Sequence, residues 1–337
     1  MGRRHALSRF RAVKVVRAGE ISVKTPFEFE SFREVHVKGY LWHAEPSEAT
    51  EPDRAPTPSA VVVLAHGMAE TIMRYQEFAE FLVAKGMVVY GYSHRGHFET
   101  AGRVDRLGYI GDDGWRKMAT DLKQVIDLAR ASYPGWPIIL FGHSMGSYLV
   151  RTYLVDHPDK VDGIVLSGTG YPKKIELQAA AFLGTLERRL KGDRPSKLLD
   201  KLSFGAFNTA FAPTKTPFDW LSSDPVQVEA YLNDPWCGQV HPSSFFAHMA
   251  KGLLGVLYGD TPRPRANKPV PMLLMSGGLD PIGQRGEGVK KSANFYQAAG
   301  YQVVVKLYEG GRHEMLHEVN RQQVYEDLLT WMVEQRV

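Results

Sequence analysis

Cysteine is almost missing from this chain: Cys237 is the single one in 337 residues, so no internal disulfide can form. No oxidising compartment is therefore needed, and a cytoplasmic setting is the expectation. Long apolar runs are also absent. None approaches the ~20 residues of a membrane span, so the expected protein is soluble or at most peripheral to a membrane. Lys14 interrupts the one apolar stretch near the start before it reaches the ~7 residues of a secretory core, and Ala6 stands where myristoylation wants Ser or Thr. There are no internal repeats. Excess charge of one sign is lacking too: 41 basic residues face 37 acidic ones. Arg3, Arg4, Arg9, Arg11, Lys14 and Arg17 all precede the first acid, Glu20, and subtracting these six from +4 leaves −2 for the remainder. The body thus has no basic excess to imply nucleic acid. The tail alone is basic. An anionic membrane surface is the partner such a tail could touch, and a solvated terminus is the plainer reading.

What is present is a folded chain, 44% hydrophobic and 23% charged, too apolar for disorder. Beyond a basic tail over 1–19, Ile21 to Phe32 and Glu34 to Ala44 alternate as a strand pair at a sheet edge. The prolines of Glu45 to Ser59 make a loop. Then short apolar runs begin: Ala60 to Ala65, Met87 to Tyr92, Pro137 to Phe141, Val161 to Leu166, Pro271 to Met275 and Gln302 to Leu307. Such runs suit strands buried on both faces of a parallel sheet. Between them lies helical spacing, as in Trp115, Met118, Leu122 and Val125. The expected fold is α/β, a mostly parallel doubly wound sheet flanked by helices. The alternation stops over 171–265, which reads as a mainly helical cap inserted into a core of 20–170 and 266–337.

Gly142, His143, Ser144, Met145 and Gly146 follow a buried run and precede a helical pattern. G-x-S-x-G between strand and helix strains the serine and presents its hydroxyl above the sheet. A serine of ordinary pKa needs a histidine base, itself oriented by a carboxylate. Asp280, after the run ending at Met275, and His313, after the last run, both fall at carboxyl ends of strands and so face the same edge as Ser144. Acyl transfer also needs oxyanion donors. The strand ending in Ala65, His66 and Gly67 aims the Met68 amide at that edge, and Met145 supplies a second amide. No cofactor is called for.

A rival motif overlaps the last of these residues. His313, Glu314 and His317 spell H-E-x-x-H, a zinc-protease signature when it lies on a helix. Gly310 and Gly311 instead place His313 in a strand-to-helix loop, and zinc leaves Ser144 and Asp280 without a role, so no metal site is expected. His94 and His97 form another pair, read as support for the crevice floor. The cap aromatics Phe204, Phe207, Phe211, Phe218, Trp220, Tyr231, Trp236, Phe245 and Phe246, with Met249, Leu253 and Leu254, can wall an acyl-chain tunnel or serve as cap core, and Phe207, Trp220, Trp236, Phe245 and Phe246 are the candidates singled out. Cys237 reads as a small buried hydrophobe.

The stretches HGM, HRGH, GHSMG, SGGLDP and GRHEMLHE together resemble the α/β-hydrolase fold, and within it the bacterial monoacylglycerol lipase and lysophospholipase group, also labelled serine aminopeptidase-like. The resemblance runs from about Gly39 to the C-terminus and includes Phe218 to Ser222 and Asn233 to Gly238 in the cap. It implies Ser144 as nucleophile, Asp280 and His313 as its partners, and Met68 and Met145 as the oxyanion hole of a serine carboxylic-ester hydrolase. Ser93 and Phe98 depart from that group's Asp and Gly and suggest a reshaped loop. The expected substrate is an ester with one apolar acyl chain and a small polar alcohol, monoacylglycerol-like ahead of lysophospholipid. An amidase or aminopeptidase of the same fold is the alternative. It requires acidic cap residues facing the pocket, with Asp219, Asp224, Glu229 and Asp234 available. A catalytically silent binding protein fits less well, since every catalytic position is filled.

Overall fold

The strand pair opens the sheet. β1 (Ser22–Ser31) and β2 (Val35–Ala44) are antiparallel, and β2 in turn pairs antiparallel with β4. The computed structural model describes residues 22–32, 35–44, 60–259 and 268–335. The basic tail and the proline loop Glu45 to Ser59 lie outside the described residues. The apolar runs become β3 (Val61–Ala65), β4 (Val88–Tyr92), β5 (Ile138–His143) and β6 (Gly163–Ser167), buried at every position, followed by β7 (Pro271–Gly277) and β8 (Gln302–Tyr308). The eight strands run in the order β1-β2-β4-β3-β5-β6-β7-β8, parallel from β4 to β8.

Alternate residues of each strand feed two apolar layers. Val61 and Val63 join one layer with Trp115, Met118, Leu122 and Leu149, while Val62 and Leu64 join the other with Phe78, Leu82, Val324 and Leu328. The first layer is closed by α3 (Gly114–Ser132), α4 (Met145–Asp156) and α9 (Glu287–Gln297). The second is closed by α1 (Gln76–Ala84) and α10 (Arg321–Glu334). A one-turn α2 (Phe98–Ala101) sits in the loop after β4. The doubly wound sheet expected from the pattern is therefore present, with one difference. β8 is an edge strand, not a strand covered on both faces, and Val304, Val305 and Leu307 are exposed. A valine run does not reveal whether its outer neighbour exists.

Between β6 and β7 stand α5 (Lys174–Lys191), α6 (Lys197–Phe204), α7 (Pro225–Asn233) and α8 (Ser243–Tyr258). Leu177 and Ala181 of α5 pack on Ala250, Leu253 and Leu257 of α8. The other side of α8 enters the main core through Phe245. Gly252 makes this approach feasible, because a Cβ there would lie 2.2 Å from the Trp115 ring. Among the described residues, no helix is long and apolar enough to cross a membrane.

Candidate active site

The serine turn is strained as its sequence requires. Ser144 joins β5 to α4 at φ 50°, ψ −118°, a region that costs a non-glycine residue about 1–3 kcal/mol. Its neighbours must be glycine for contact reasons. A Cβ on Gly146 would stand 2.0 Å from the Ala65 carbonyl oxygen, and one on Gly142 2.6 Å from that of Gly146. Met145 is the first residue of α4, so its N–H has no acceptor within the helix.

Asp280 follows β7 and His313 follows β8, and the fold brings them together: His313 Nδ1 lies 3.1 Å from Asp280 Oδ1. Asp280 is held in turn by the Ser276 hydroxyl at 2.7 Å and the Ile282 N–H at 2.9 Å. With Nδ1–H donated to the carboxylate, Nε2 carries the free lone pair of a base. Burial alone would lower the His313 pKa, but the Asp280 carboxylate, with Glu314 and Glu70 beyond it, outweighs this and raises it above the ordinary value. The ring is packed between His143, at 4.8 Å, and Trp220, at 5.1 Å. Gly168, at φ +57°, leaves the room: a Cβ would come within 2.8 Å of the imidazole.

Ser144, His313, Met68 and Met145 share one cavity of about 360 Å³. Its wall is mostly apolar, with Phe204, Phe218, Trp220, Leu221, Met249 and Ile282 contributing. Of the five aromatic candidates, Trp220 lines it. Phe207 does not; it stands against Trp220, with centroids 5.1 Å apart. Trp236 lies elsewhere, edge-on to Phe98 and beside Phe27 and Tyr40 in a separate groove. Phe245 and Phe246 are fully buried and neither lines the cavity, Phe245 packing into the main core, so they are packing residues and not tunnel walls. Helical spacing marks a residue as inward-facing without saying which interior it meets. Phe204, Phe218 and Met249, from the wider set of cap residues, are in the wall, and what sequence reasoning missed is the ionic group beneath the site. Arg74 bonds Glu314 through two nitrogens at 2.6 Å and Glu70 at 2.8 Å. Glu70 also accepts from the Tyr75 hydroxyl and from the Gly67 N–H, next to Met68. The i,i+4 spacing of Glu70 and Arg74 was the available signal.

That ionic group disposes of the zinc geometry. Glu314 is clamped by Arg74, His317 Nε2 donates to the Arg74 carbonyl at 2.9 Å, and Met315–His317 is a single 3₁₀ turn, so the two histidines do not share a helix face. His94 and His97 belong to a buried stack with His66 and His241. His94 Nε2 donates to the His66 carbonyl at 3.0 Å, and the His97 and His241 ring nitrogens meet at 3.1 Å. Burial pushes His66, His97 and His241 down to about 3. Among the described residues, no group of three or more His, Cys, Asp or Glu side chains is placed to hold a metal ion. Cys237 is buried near Trp220 and Tyr231, and burial pushes its thiol up. Phe98 takes a positive φ of 40° as it turns onto Trp236.

A strained serine turn on a mostly parallel, doubly wound sheet defines the α/β-hydrolase class. The family described as serine aminopeptidase, S33, matches residues 56–320, and the chain belongs to it. It is 29% identical over 284 residues to the monoacylglycerol lipase of Mycolicibacterium smegmatis, covering 82% of this chain and 89% of that one. It is 26% identical over 281 residues to the monoglyceride lipase of Homo sapiens, covering 82% and 83%. Among solved structures, a thermostable carboxyl esterase from Bacillus coagulans in complex with glycerol superposes with a TM-score of 0.79 at 27% identity, over 93% of this chain and 99% of that one.

Proposed function

We propose that this chain hydrolyses carboxylic esters of one apolar acyl chain and a small neutral alcohol, of the monoacylglycerol kind, through an acyl-enzyme on Ser144. The observation that carries the reading is the strained Ser144 turn opening into the same mostly apolar cavity as the Asp280-bound His313. His313 Nε2 takes the hydroxyl proton as Ser144 Oγ attacks the ester carbon, and Asp280 stabilises the imidazolium. The Met68 and Met145 amides are the donors for the oxyanion. The imidazolium returns its proton to the departing alcohol. A water, deprotonated by the same imidazole, then cleaves the acyl-enzyme and frees the acid.

Two further observations refine the substrate. Glu70 and Glu314 stand at the cavity against the single cation Arg74, and this acidic surplus disfavours a phosphate-bearing alcohol beside them. The four cap acids named for an aminopeptidase reading stand away from the cavity, and among the described cap acids Asp200 alone lines it. Asp219 is tied to Thr216 and Lys215, Asp224 caps α7, Asp234 accepts from the Trp236 N–H, and neither they nor Glu229 lines the cavity. In this reading 171–265 is a cap over the 20–170 and 266–337 core. Its outer face exposes Ile175, Phe182, Leu190, Leu198 and Leu202 among Lys174, Arg189, Lys197 and Lys201, a composition suited to an anionic lipid surface.

Replacing Ser144 by Ala tests the assignment. Loss of fluorophosphonate labelling and of ester hydrolysis, with the melting temperature retained, is expected, and retained activity would refute it. Comparing kcat/KM for 1-monoacylglycerols and lysophosphatidylcholines of matched chains tests the alcohol. Turnover of acetate esters alone would remove the lipid reading.

A further inference from the structure

The cavity wall holds one acidic side chain that nothing neutralises. Glu70 and Glu314 are bound by Arg74, the Asn208 amide donates to the Thr216 carbonyl and accepts from the Trp220 N–H, and the Tyr231 hydroxyl donates to the Ala69 carbonyl. Asp200, on α6, also lines the cavity, and its half-buried carboxylate has no hydrogen bond or ion pair among the described residues. Burial, with no opposing partner, raises its pKa above the ordinary value.

The position of Asp200 can be read along the wall. The His313 ring meets Trp220 at 5.1 Å, and Trp220 stacks nearly parallel on Phe204 at 6.2 Å. Asp200 is four residues before Phe204, hence on the same face of α6 one turn further along. The path along the wall from the catalytic imidazole to the carboxylate thus passes two aromatic rings and is on the order of 15 Å long. A glycerol hydroxyl or an α-amine lies only a few bonds from the scissile carbonyl and does not span this distance. What reaches Asp200 is the far end of the acyl chain.

Resting on the ester-hydrolase reading, we infer that Asp200 is a specificity residue at the distal end of the acyl cavity, accepting a hydrogen bond from a donor on the end of the substrate's chain. A bare methyl end that arrives there strips the remaining water from a carboxylate and replaces it with nothing, which is unfavourable. A terminal hydroxyl or ammonium replaces that water. A terminal carboxylate adds like-charge repulsion. The acyl groups that suit this cavity are thus long chains ending in a hydroxyl or an amine, while shorter methyl-ended chains are accepted because they stop before Asp200.

The test is a series of p-nitrophenyl esters from octanoate to palmitate in four forms, ending in methyl, hydroxyl, ammonium or carboxylate. It is run on the full chain and on Asp200→Asn and Asp200→Leu, each checked for an unchanged melting temperature. For the unmodified chain, kcat/KM is expected to favour hydroxyl and ammonium ends over methyl by about tenfold at the lengths that reach Asp200, with carboxylate ends last. Asp200→Asn should keep the hydroxyl preference and abolish the ordering by charge. Asp200→Leu should reverse the preference toward methyl. If the unmodified chain hydrolyses the series but the ratios are flat at every length, or Asp200→Leu leaves them unchanged, the inference falls and the ester-hydrolase reading stands. Absence of hydrolysis across the whole series overturns both.

Discussion

Arg74 grips Glu314 with both guanidinium Nη atoms, each 2.6 Å from a carboxylate oxygen. Glu314 directly follows His313 in the chain, so this clamp anchors the backbone that carries the imidazole. Burial alone would raise the Glu314 carboxyl, but the guanidinium more than compensates and holds it well below the usual range. Arg74→Met removes the cation and leaves Glu70 and Glu314 buried against each other. The expected loss is about 3–5 kcal/mol of stability, measured by urea unfolding, since breaking a buried pair exposes the cost of an uncompensated charge. Glu314→Gln, which keeps one hydrogen bond and removes a charge, should cost less. A loss of under ~1 kcal/mol for Arg74→Met would show that the group is solvated.

The raised pKa of His313 predicts the acid limb of the rate profile. The base works unprotonated, so kcat/KM should rise with pH through a value above the ordinary ~6.5. Asp280→Asn removes the largest raising influence. The limb should then move to lower pH while the plateau falls by about 10⁴-fold, the scale on which a triad loses its orienting acid. The same shift has a stability sign. Folding favours the protonated imidazole, so that contribution is fully present below ~6.5 and disappears as pH rises through the folded value. An acid limb that stays in place in Asp280→Asn would contradict the pairing.

The legible parts of this chain were those where chemistry and periodicity agree locally. β3 to β6 are buried on both faces, and such strands leave unbroken apolar runs. Ser144, Asp280 and His313 each follow a run, so their shared sheet edge was deducible before any contact was known. Gly146 adds an example: its need to clear the Ala65 carbonyl is part of the motif. Arg74 and Glu70 were not singled out because an i,i+4 ion pair on a helical turn looks the same whether solvated or buried. Phe246 and Phe204 could not be told apart for a related reason. Both are apolar aromatics of the inserted segment, and only the packing of α6 and α8 in three dimensions buries Phe246 completely and leaves Phe204 at the cavity.

Acid sensitivity follows from the buried histidines. Burial pushes His66, His97, His143 and His241 down to about 3. The unfolded chain binds protons at these sites from ~6.5 downward while the folded chain does not, so stability is full above ~6.5 and falls as pH drops toward 3. Each such histidine contributes roughly 1.4 kcal/mol per pH unit within that window. The melting temperature should fall steeply between pH 6 and 4 under this mechanism, and His143→Phe should flatten the slope. A melting temperature constant over that range would mean that these rings are already protonated or exposed.

The two phenylalanines give the sharpest separation of packing from binding. Phe246 is fully buried away from the cavity, so Phe246→Ala should cost about 3–5 kcal/mol of stability and leave the order of preferred acyl lengths as it was. Phe204 is half-buried on the cavity wall and stacked on Trp220. Phe204→Ala exchanges little core for a wider tunnel, so the melting temperature should change little. Chains that pressed on the ring lose contacts worth about 0.8 kcal/mol per methylene, which lowers kcat/KM mid-series and moves the optimum to longer acyl groups. Hydrolysis of p-nitrophenyl esters from acetate to palmitate, read beside thermal unfolding, measures both effects. A shifted length optimum in Phe246→Ala with an unshifted one in Phe204→Ala would place the acyl chain against Phe246 and overturn the cavity assignment.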